Sequence, residues 1–203
     1  MRHEFMSHYF PHFLAGSYLL FSIALGINPV SREVWLAEII PVIVVFLGLV
    51  VTFRQFRFSN VAYGLIFIWI FWHTVGGHYT FANVPFGWVS ELLDSERNHF
   101  DRIGHFAIGF YAYAMMEFLL RRKHCSLNLA ITFSLFFIMS VAAGYEIIEW
   151  WYAAIEGGDA GIEFLGSQGD VWDAQKDMLA DTLGAIVSLT LYCFVRPDKK
   201  ILG

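Results

Sequence analysis

Charge is scarce in this chain. Only 15% of its 203 residues are Asp, Glu, Lys or Arg, and 57% are hydrophobic, whereas a soluble domain carries about 25% charged residues. That imbalance argues against a water-soluble globular fold before any segment is read. Cysteine is sparser still. Cys125 and Cys193 stand alone, without the paired spacing of a disulfide framework or a thiolate metal site. Excess positive charge is also missing: the formal net charge is −5, which leaves no basic surface for nucleic acid. The period-two alternation of a membrane β-barrel is absent, as are internal repeats and low-complexity linkers. Residues 1–203 therefore read as a single integral membrane domain.

What the chain has is apolar length. Six runs stand out, at about residues 10–27, 36–53, 61–77, 103–120, 129–152 and 178–195. A helix needs about 20 residues to cross the hydrocarbon core, and backbone in lipid must satisfy its own hydrogen bonds. The fold expected is all-α: a polytopic bundle of six transmembrane helices. The first run lacks a small-x-small cleavage site and is read as a span rather than a removed leader. Lys and Arg set the orientation. With the N-terminus inside, nine of the 13 fall on the cytoplasmic side, including Arg121, Arg122 and Lys123, against four outside. Both termini are then cytoplasmic in a bacterial inner membrane. The two long loops, around residues 76–102 and 153–177, lie outside with fifteen of the 18 acids. In the first of these, "PFGWVSELLDSE" places Phe86, Val89, Leu92 and Leu93 on one face of a short interfacial helix.

The polar residues inside these runs need explaining. Asp170, Asp173, Asp177, Asp181, Gly184 and Ser188 fall within about ±40° of one another on a continuous helix. They form a stripe that is acidic at its outer end and small at its deep end. An Asp at membrane depth costs about 2.5–3.5 kcal/mol on insertion scales, so this stripe faces other helices or a wet cavity. Asp170 and Asp173 are also accounted for as a solvated turn and a helix-start charge. In "AAGYEIIEWWY", Glu146 and Glu149 enter on the preceding run, with Glu146 the deeper. "RNHFDRIGHF" sets Asp101 and His105 one turn apart, and "WHTVGGHYT" adds His73 at depth and His78 nearer the surface. Crowded carboxylates require protons, basic partners or a cation. The outer basic residues are too few, so a divalent ion held by His105, Glu146, Asp177 and Asp181 is expected. Asp101, Arg102, His78, Asp173 and Gln168 support that set. Mixed Asp, Glu and His ligation suits Zn²⁺, Mn²⁺ or Fe²⁺, and oxygen-only ligation suits Mg²⁺ or Ca²⁺. A proton-relay cluster is the competing account.

"HTVGGHYTF", "RNHFDRIGHF" and "EFLGSQGDVWDAQKDMLADTLGA" resemble the YjdF family of bacterial inner-membrane proteins along essentially the whole chain. A remoter likeness is to VanZ-like proteins, whose helix starts are matched by Asp101, Arg102, His105 and Phe106, by Glu146 or Glu149, and by Asp177 and Gly184. Asp181 stands where the VanZ-like pattern has Asn. The resemblance implies a cell-envelope context rather than a reaction.

Three functions remain open. One is a metal-dependent enzyme acting on a lipid-linked envelope substrate at the outer leaflet, with His73 or Glu149 as general base. Another is a proton- or metal-ion binding or transport protein. The third is a structural or regulatory envelope protein. "LGSQG" lacks the context of a serine nucleophile, and too few histidines lie on the outer side for a histidine-rich desaturase. The charge split is tested by fusing a reporter active only in the cytoplasm to Gly203. Activity is expected, and a silent reporter on a well-expressed fusion reverses the topology.

Overall fold

A computed structural model describes residues 2–202, and their side chains except those of residues 2–7, 160, 163 and 200–202. Arg2, Glu4, Glu163 and Lys200, which entered the charge counts, therefore lie outside the described side chains. Among the described residues all regular structure is helical: α1 (Arg2–Leu25), α2 (Arg32–Thr52), α3 (Asn60–Tyr79), a 3₁₀ turn (Phe81–Asn83), α4 (Gly87–Leu92), α5 (Phe100–Ile108), α6 (Tyr111–Arg121), α7 (Leu127–Glu156), α8 (Gly158–Leu165), α9 (Asp173–Val195) and α10 (Pro197–Leu202). Serine caps start two of the long helices. Ser31 Oγ accepts from Val34 N–H and Ser59 Oγ from Ala62 N–H, each satisfying a donor that the first turn leaves free.

Five stretches are long and apolar enough to cross a bilayer: Arg32–Thr52, Asn60–Tyr79, Phe100–Arg121, Leu127–Glu156 and Asp173–Lys199. The first helix, at 24 residues, matches them in length and packs along α3. His8 and His12 dilute its apolar run, and it is not among the five. The exterior confirms the environment. Leu36, Ile40, Val44, Leu47 and Val51 stand exposed along α2, and Leu179, Leu183, Ile186 and Val187 along α9. Apolar surface on that scale is tolerated only against lipid or a partner.

Three details depart from the reading of the sequence. The run over residues 103–120 is a broken helix. Between α5 and α6 the bonds tighten to the i→i+3 pattern: Phe110 N–H donates to Ala107 O, and Ala112 N–H to Gly109 O. The cause is a close crossing. A Cβ on Gly184 would lie 1.9 Å from Phe106 O, and one on Gly109 would lie 2.3 Å from Ala185 N. Ser188 Oγ–H donates to the Gly109 carbonyl at 3.0 Å. The small end of the α9 stripe is thus the seat of the α5–α6 break.

The second long connection, in turn, is mostly helical. Helix α7 continues to Glu156, Gly157 and Gly158 reverse the chain at φ 66° and 54°, and α8 folds back, with Phe164 against Tyr152 at 4.2 Å between ring centres. Finally, α4 buries Val89 but leaves Leu92 and Leu93 exposed with Trp88. A six-residue helix ends before the expected four-residue face is complete.

Two substitutions separate the crossing from ordinary helix effects. Gly184→Ala is expected to lower stability by about 1–3 kcal/mol through overpacking. Gly144→Ala, on α7 with nothing within 4 Å of the added methyl, should be neutral or stabilising. Thermal denaturation of the detergent-solubilised variants measures both, and equal melting temperatures would refute the close packing.

Candidate functional site at the acidic end of the bundle

Because α5 and α9 run in the same direction from a common end, their polar residues align in register. Asp101 stands level with Asp177, His105 with Asp181, and Gly109 with Gly184. Asp101 to His105 to Gly109 is a four-residue step on α5, and Asp177 to Asp181 is the matching step on α9, so both sets lie on facing stripes. His105 Nδ1–H donates to Asp181 Oδ2 at 3.1 Å. The other ring nitrogen, Nε2, looks towards Asp101 Oδ1 at 3.7 Å, too far for a hydrogen bond. Asp181 is fully buried, and its Oδ1 has no hydrogen-bond partner among the described residues.

Above this level the acids are matched by arginines. Asp173 Oδ1 lies 2.6 Å from Arg97 Nη2 and 2.7 Å from Arg102 Nη2, and Arg102 Nε lies 2.8 Å from Asp177 Oδ1. One guanidinium thus bridges two successive carboxylates of the α9 stripe. The turn before α9 is strapped to the segment before α5. Arg97 donates to Ser167 O, while Gln168 accepts from Asn98 N–H and donates to Asn98 O. Asp170 sits in this turn. Its bond from Lys176, then one from the Trp172 backbone, holds its carboxyl below the ordinary carboxylate range. His99, outside the bundle, is pushed below its ordinary value by partial burial and then by the charges of Arg97 and Arg102.

On the opposite wall stands a constellation that the sequence reading missed. Glu38 of α2 is 2% exposed. Its Oε2 lies 3.0 Å from His73 Nε2 and accepts from Tyr145 O–H at 3.0 Å. His73 Nε2 also lies 3.1 Å from the Glu38 carbonyl, an acceptor only, so the proton is on Nε2. The Tyr145 ring is 6.4 Å from both His73 and His105. The two walls enclose a chamber of about 140 Å³, into which Asp101, His105, Asp181, Glu38, His73 and Glu149 all face. Glu38 had a signal: it is the lone acid in the apolar run of α2, where an ionisable residue is a functional candidate by default.

The residues singled out in the sequence divide accordingly. His73, Glu149, His105, Asp181 and Asp101 share the chamber. Asp177 approaches from above, held by Arg102. Glu146 is half-buried on α7, beside but outside the chamber, with Oε1 unpartnered among the described residues. Glu149, one turn later, is the α7 acid that enters. His78 is elsewhere, its Nδ1–H donating to Leu25 O at 2.7 Å. Gln168 and Asp173 belong to the strap and the arginine layer. The described residues whose donor atoms suit one metal ion are Asp101, His105 and Asp177, which offer atoms within 4.8 Å of one another.

An apolar exterior around an interior layered with ionisable side chains defines a polytopic helical membrane protein. Residues 10–198 match the family described as "Predicted membrane protein (DUF2238)", and the chain belongs to that family. It is also similar to the "Inner membrane protein YjdF" of Escherichia coli (strain K12), at 38% identity over 173 residues, which cover 84% of this chain and 82% of that protein. No solved structure matches it. The likeness to VanZ-like proteins has no support among these relatives.

The arginine layer gives a measurable expectation. Arg102→Met strands Asp177 and leaves Asp173 to Arg97 alone, and should cost about 3 kcal/mol, the lower end for breaking a buried pair, because the guanidinium is partly exposed. Lys176→Met, at the exposed turn, should leave the denaturation midpoint within error of the parent. Equal midpoints for the two variants would remove Arg102 from its bridging role.

Proposed function

We propose that this family member is a divalent-metal-dependent enzyme of the bacterial inner membrane, acting on a lipid-linked substrate of the cell envelope. One observation carries the proposal. His105 is pinned through Nδ1 by Asp181, while its Nε2 faces Asp101 across 3.7 Å. Two donor atoms bound at about 2.1 Å to one tetrahedral ion lie roughly 3.4 Å apart. The gap is thus too wide for a hydrogen bond and close to what a shared ion needs. A carboxylate behind the other ring nitrogen is the usual support of a metal-bound histidine, and Asp181 occupies that position.

Asp101 Oδ1, His105 Nε2 and Asp177 would hold the ion. Arg102 would leave Asp177 Oδ1 or share it. When bound there, such an ion supplies Lewis-acid polarisation of a phosphoryl or carbonyl oxygen and a lowered pKa for a bound water. Asp181 fixes the His105 tautomer and ring plane. Glu149 and the Glu38-paired His73 face the same chamber and supply the general base. In the orientation that the basic residues favour, the chamber lies at the outer end of the bundle, on the side where lipid-linked envelope precursors are processed. Transport would require a polar path to the other end of the bundle. There Glu117 is enclosed, accepting from Ser59 N–H, Ser59 Oγ–H and Arg121 at 2.6–2.8 Å, which closes rather than continues such a path.

Elemental analysis of protein purified without chelator should find about one divalent ion per chain, as a single three-ligand site implies. Asp101→Asn and His105→Gln should lose it, Asp181→Asn should weaken it with the fold intact, and Asp170→Asn should keep it. Purified protein free of metal that also fails to take up Zn²⁺, Mn²⁺ or Mg²⁺ in titration would end this reading.

A further inference from the structure

The chamber has a second feature that the metal reading does not use. Four carboxylates line it, those of Glu38, Asp101, Glu149 and Asp181, and among the described residues no Lys or Arg does. Asp101 and Asp181 are engaged with His105, and Glu38 with His73 and Tyr145. Glu149 is different. It is 8% exposed and faces the cavity, but it makes no hydrogen bond or ion pair with any described residue. Asp181 Oδ1, completely buried, is likewise unpartnered. Buried carboxylate oxygens left without a partner are costly, so the chamber is incomplete without a positively charged or donor-rich occupant.

The rest of the wall is apolar and in part aromatic, with Val45, Ile108, Val141 and Ala142 beside the rings. Trp69, Phe81, Tyr145 and Phe164 line the same space. Aromatic faces combined with carboxylates are what an organic ammonium requires, because the ring quadrupole attracts the cation and the apolar wall accepts its carbon substituents. A metal ion has no carbon substituents to place against Trp69 or Phe164. Volume narrows the choice further. About 140 Å³ is well below the roughly 300–1,000 Å³ of sites that enclose a whole drug-sized ligand. It holds a head group, with the remainder of the ligand outside.

The route out is lateral. The backbones of helices α2 and α7 are not closely packed, and the Tyr145–Glu38 hydrogen bond joins them. A groove of about 570 Å³ lies between them, bordered by Leu36, Ile40 and Ile148 and sharing Pro41, Tyr145 and Phe164 with the chamber. Leu36, Ile40 and Ile148 are each more than half exposed, on helices that cross the bilayer, so along them the groove opens to acyl chains, while Glu33 and Glu156 mark its end at the membrane surface. Pro41 lacks the N–H that would have bonded to the Ala37 carbonyl, and it sits at the junction of groove and chamber. We propose that a membrane amphiphile carrying an ammonium head group enters between α2 and α7, its head group held by Glu149, Glu38 and Asp181 within the aromatic wall and its chain lying along Leu36, Ile40 and Ile148. This site adjoins the three-ligand metal group, sharing the chamber that Asp101 and His105 line, but none of its three carboxylates is one of those ligands, so it stands whether or not a metal binds.

The probe is dodecylammonium, measured by equilibrium binding at fixed mole fraction in maltoside micelles, with dodecanoate and butylammonium as comparisons. Wild-type protein should bind dodecylammonium saturably at one site, about tenfold or more tighter than dodecanoate, as expected for pairing with a buried carboxylate. It should also bind it far better than butylammonium, which lacks the chain. Glu149→Gln should weaken binding about tenfold, and Ile40→Trp, which narrows the groove without touching the chamber, should weaken it too. Where Glu149→Gln does not fold, Glu38→Gln gives the same comparison. Protein stripped of metal should bind the amine unchanged. Absence of metal from the purified protein therefore overturns the metal reading alone. Equal affinity for amine and carboxylate, unsaturable uptake, loss of amine binding on metal removal, or full binding by a folded Glu149→Gln variant would each overturn the ammonium site.

Discussion

The close crossing of α5 and α9 is the constraint on which the rest of the acidic end depends. Gly109 and Gly184 let two backbones approach to within van der Waals contact, and no side chain larger than hydrogen fits at the crossing. Because the two helices are parallel, everything above that point is held in register by the four-residue step of each. Asp181 meets His105 one turn up, and Asp177 meets Asp101 one turn further. The tightened hydrogen bonding between α5 and α6 is the local cost, offset in part by Ser188, whose hydroxyl adds a second bond to the Gly109 carbonyl. Small residues at the base of a helix pair thus position charged residues at its mouth, as expected where lipid provides no hydrophobic drive for helix association.

Charge compensation then divides the acidic end into two environments. Nearest the surface, Arg97 and Arg102 bridge Asp173 and Asp177, and the strap through Asn98, Ser167 and Gln168 locks that layer in place. Below it, the chamber contains carboxylates whose described partners are two histidines, a tyrosine and, at 3.8 Å from Asp101, the edge of Arg97. The first environment is a closed ionic network, whose loss destabilises the fold. The second is small, walled largely by apolar side chains, rich in carboxylates and short of positive charge, which is the condition under which a cation gains most from entering. The groove between α2 and α7 runs from it past the lipid-facing Leu36, Ile40 and Ile148 towards Glu33 and Glu156, so the physical question at this site is which cations reach it along that path.

Much of this was readable from the chain. A low charge content and six apolar runs required a helical membrane protein. The α9 stripe of Asp173, Asp177, Asp181, Gly184 and Ser188 followed from 100° per residue, as did the shared face of Asp101 and His105. These are properties of a single helix, and helical periodicity is local. Partners were not local. Nothing in the sequence told His105 to take Asp181 rather than Glu146, or placed Glu149 inside the chamber and Glu146 beside it, since the two acids differ by only about 60° of helix rotation and the docking angle of α7 decides between them. Glu38 and Tyr145, 107 residues apart, share a hydrogen bond that no spacing rule reaches.

The sequence by itself determined the solvent, the helices and the inward stripe, because burial in lipid penalises any exposed polar group whatever the fold around it. Only the tertiary structure decided that α5 breaks at Gly109, that the second long connection folds back as α8 to roof the chamber with Phe164, and that α2 and α7 stand apart. Each of those outcomes is set by contact between surfaces distant in the chain, where a difference of one methyl group at a crossing determines whether two helices meet at all.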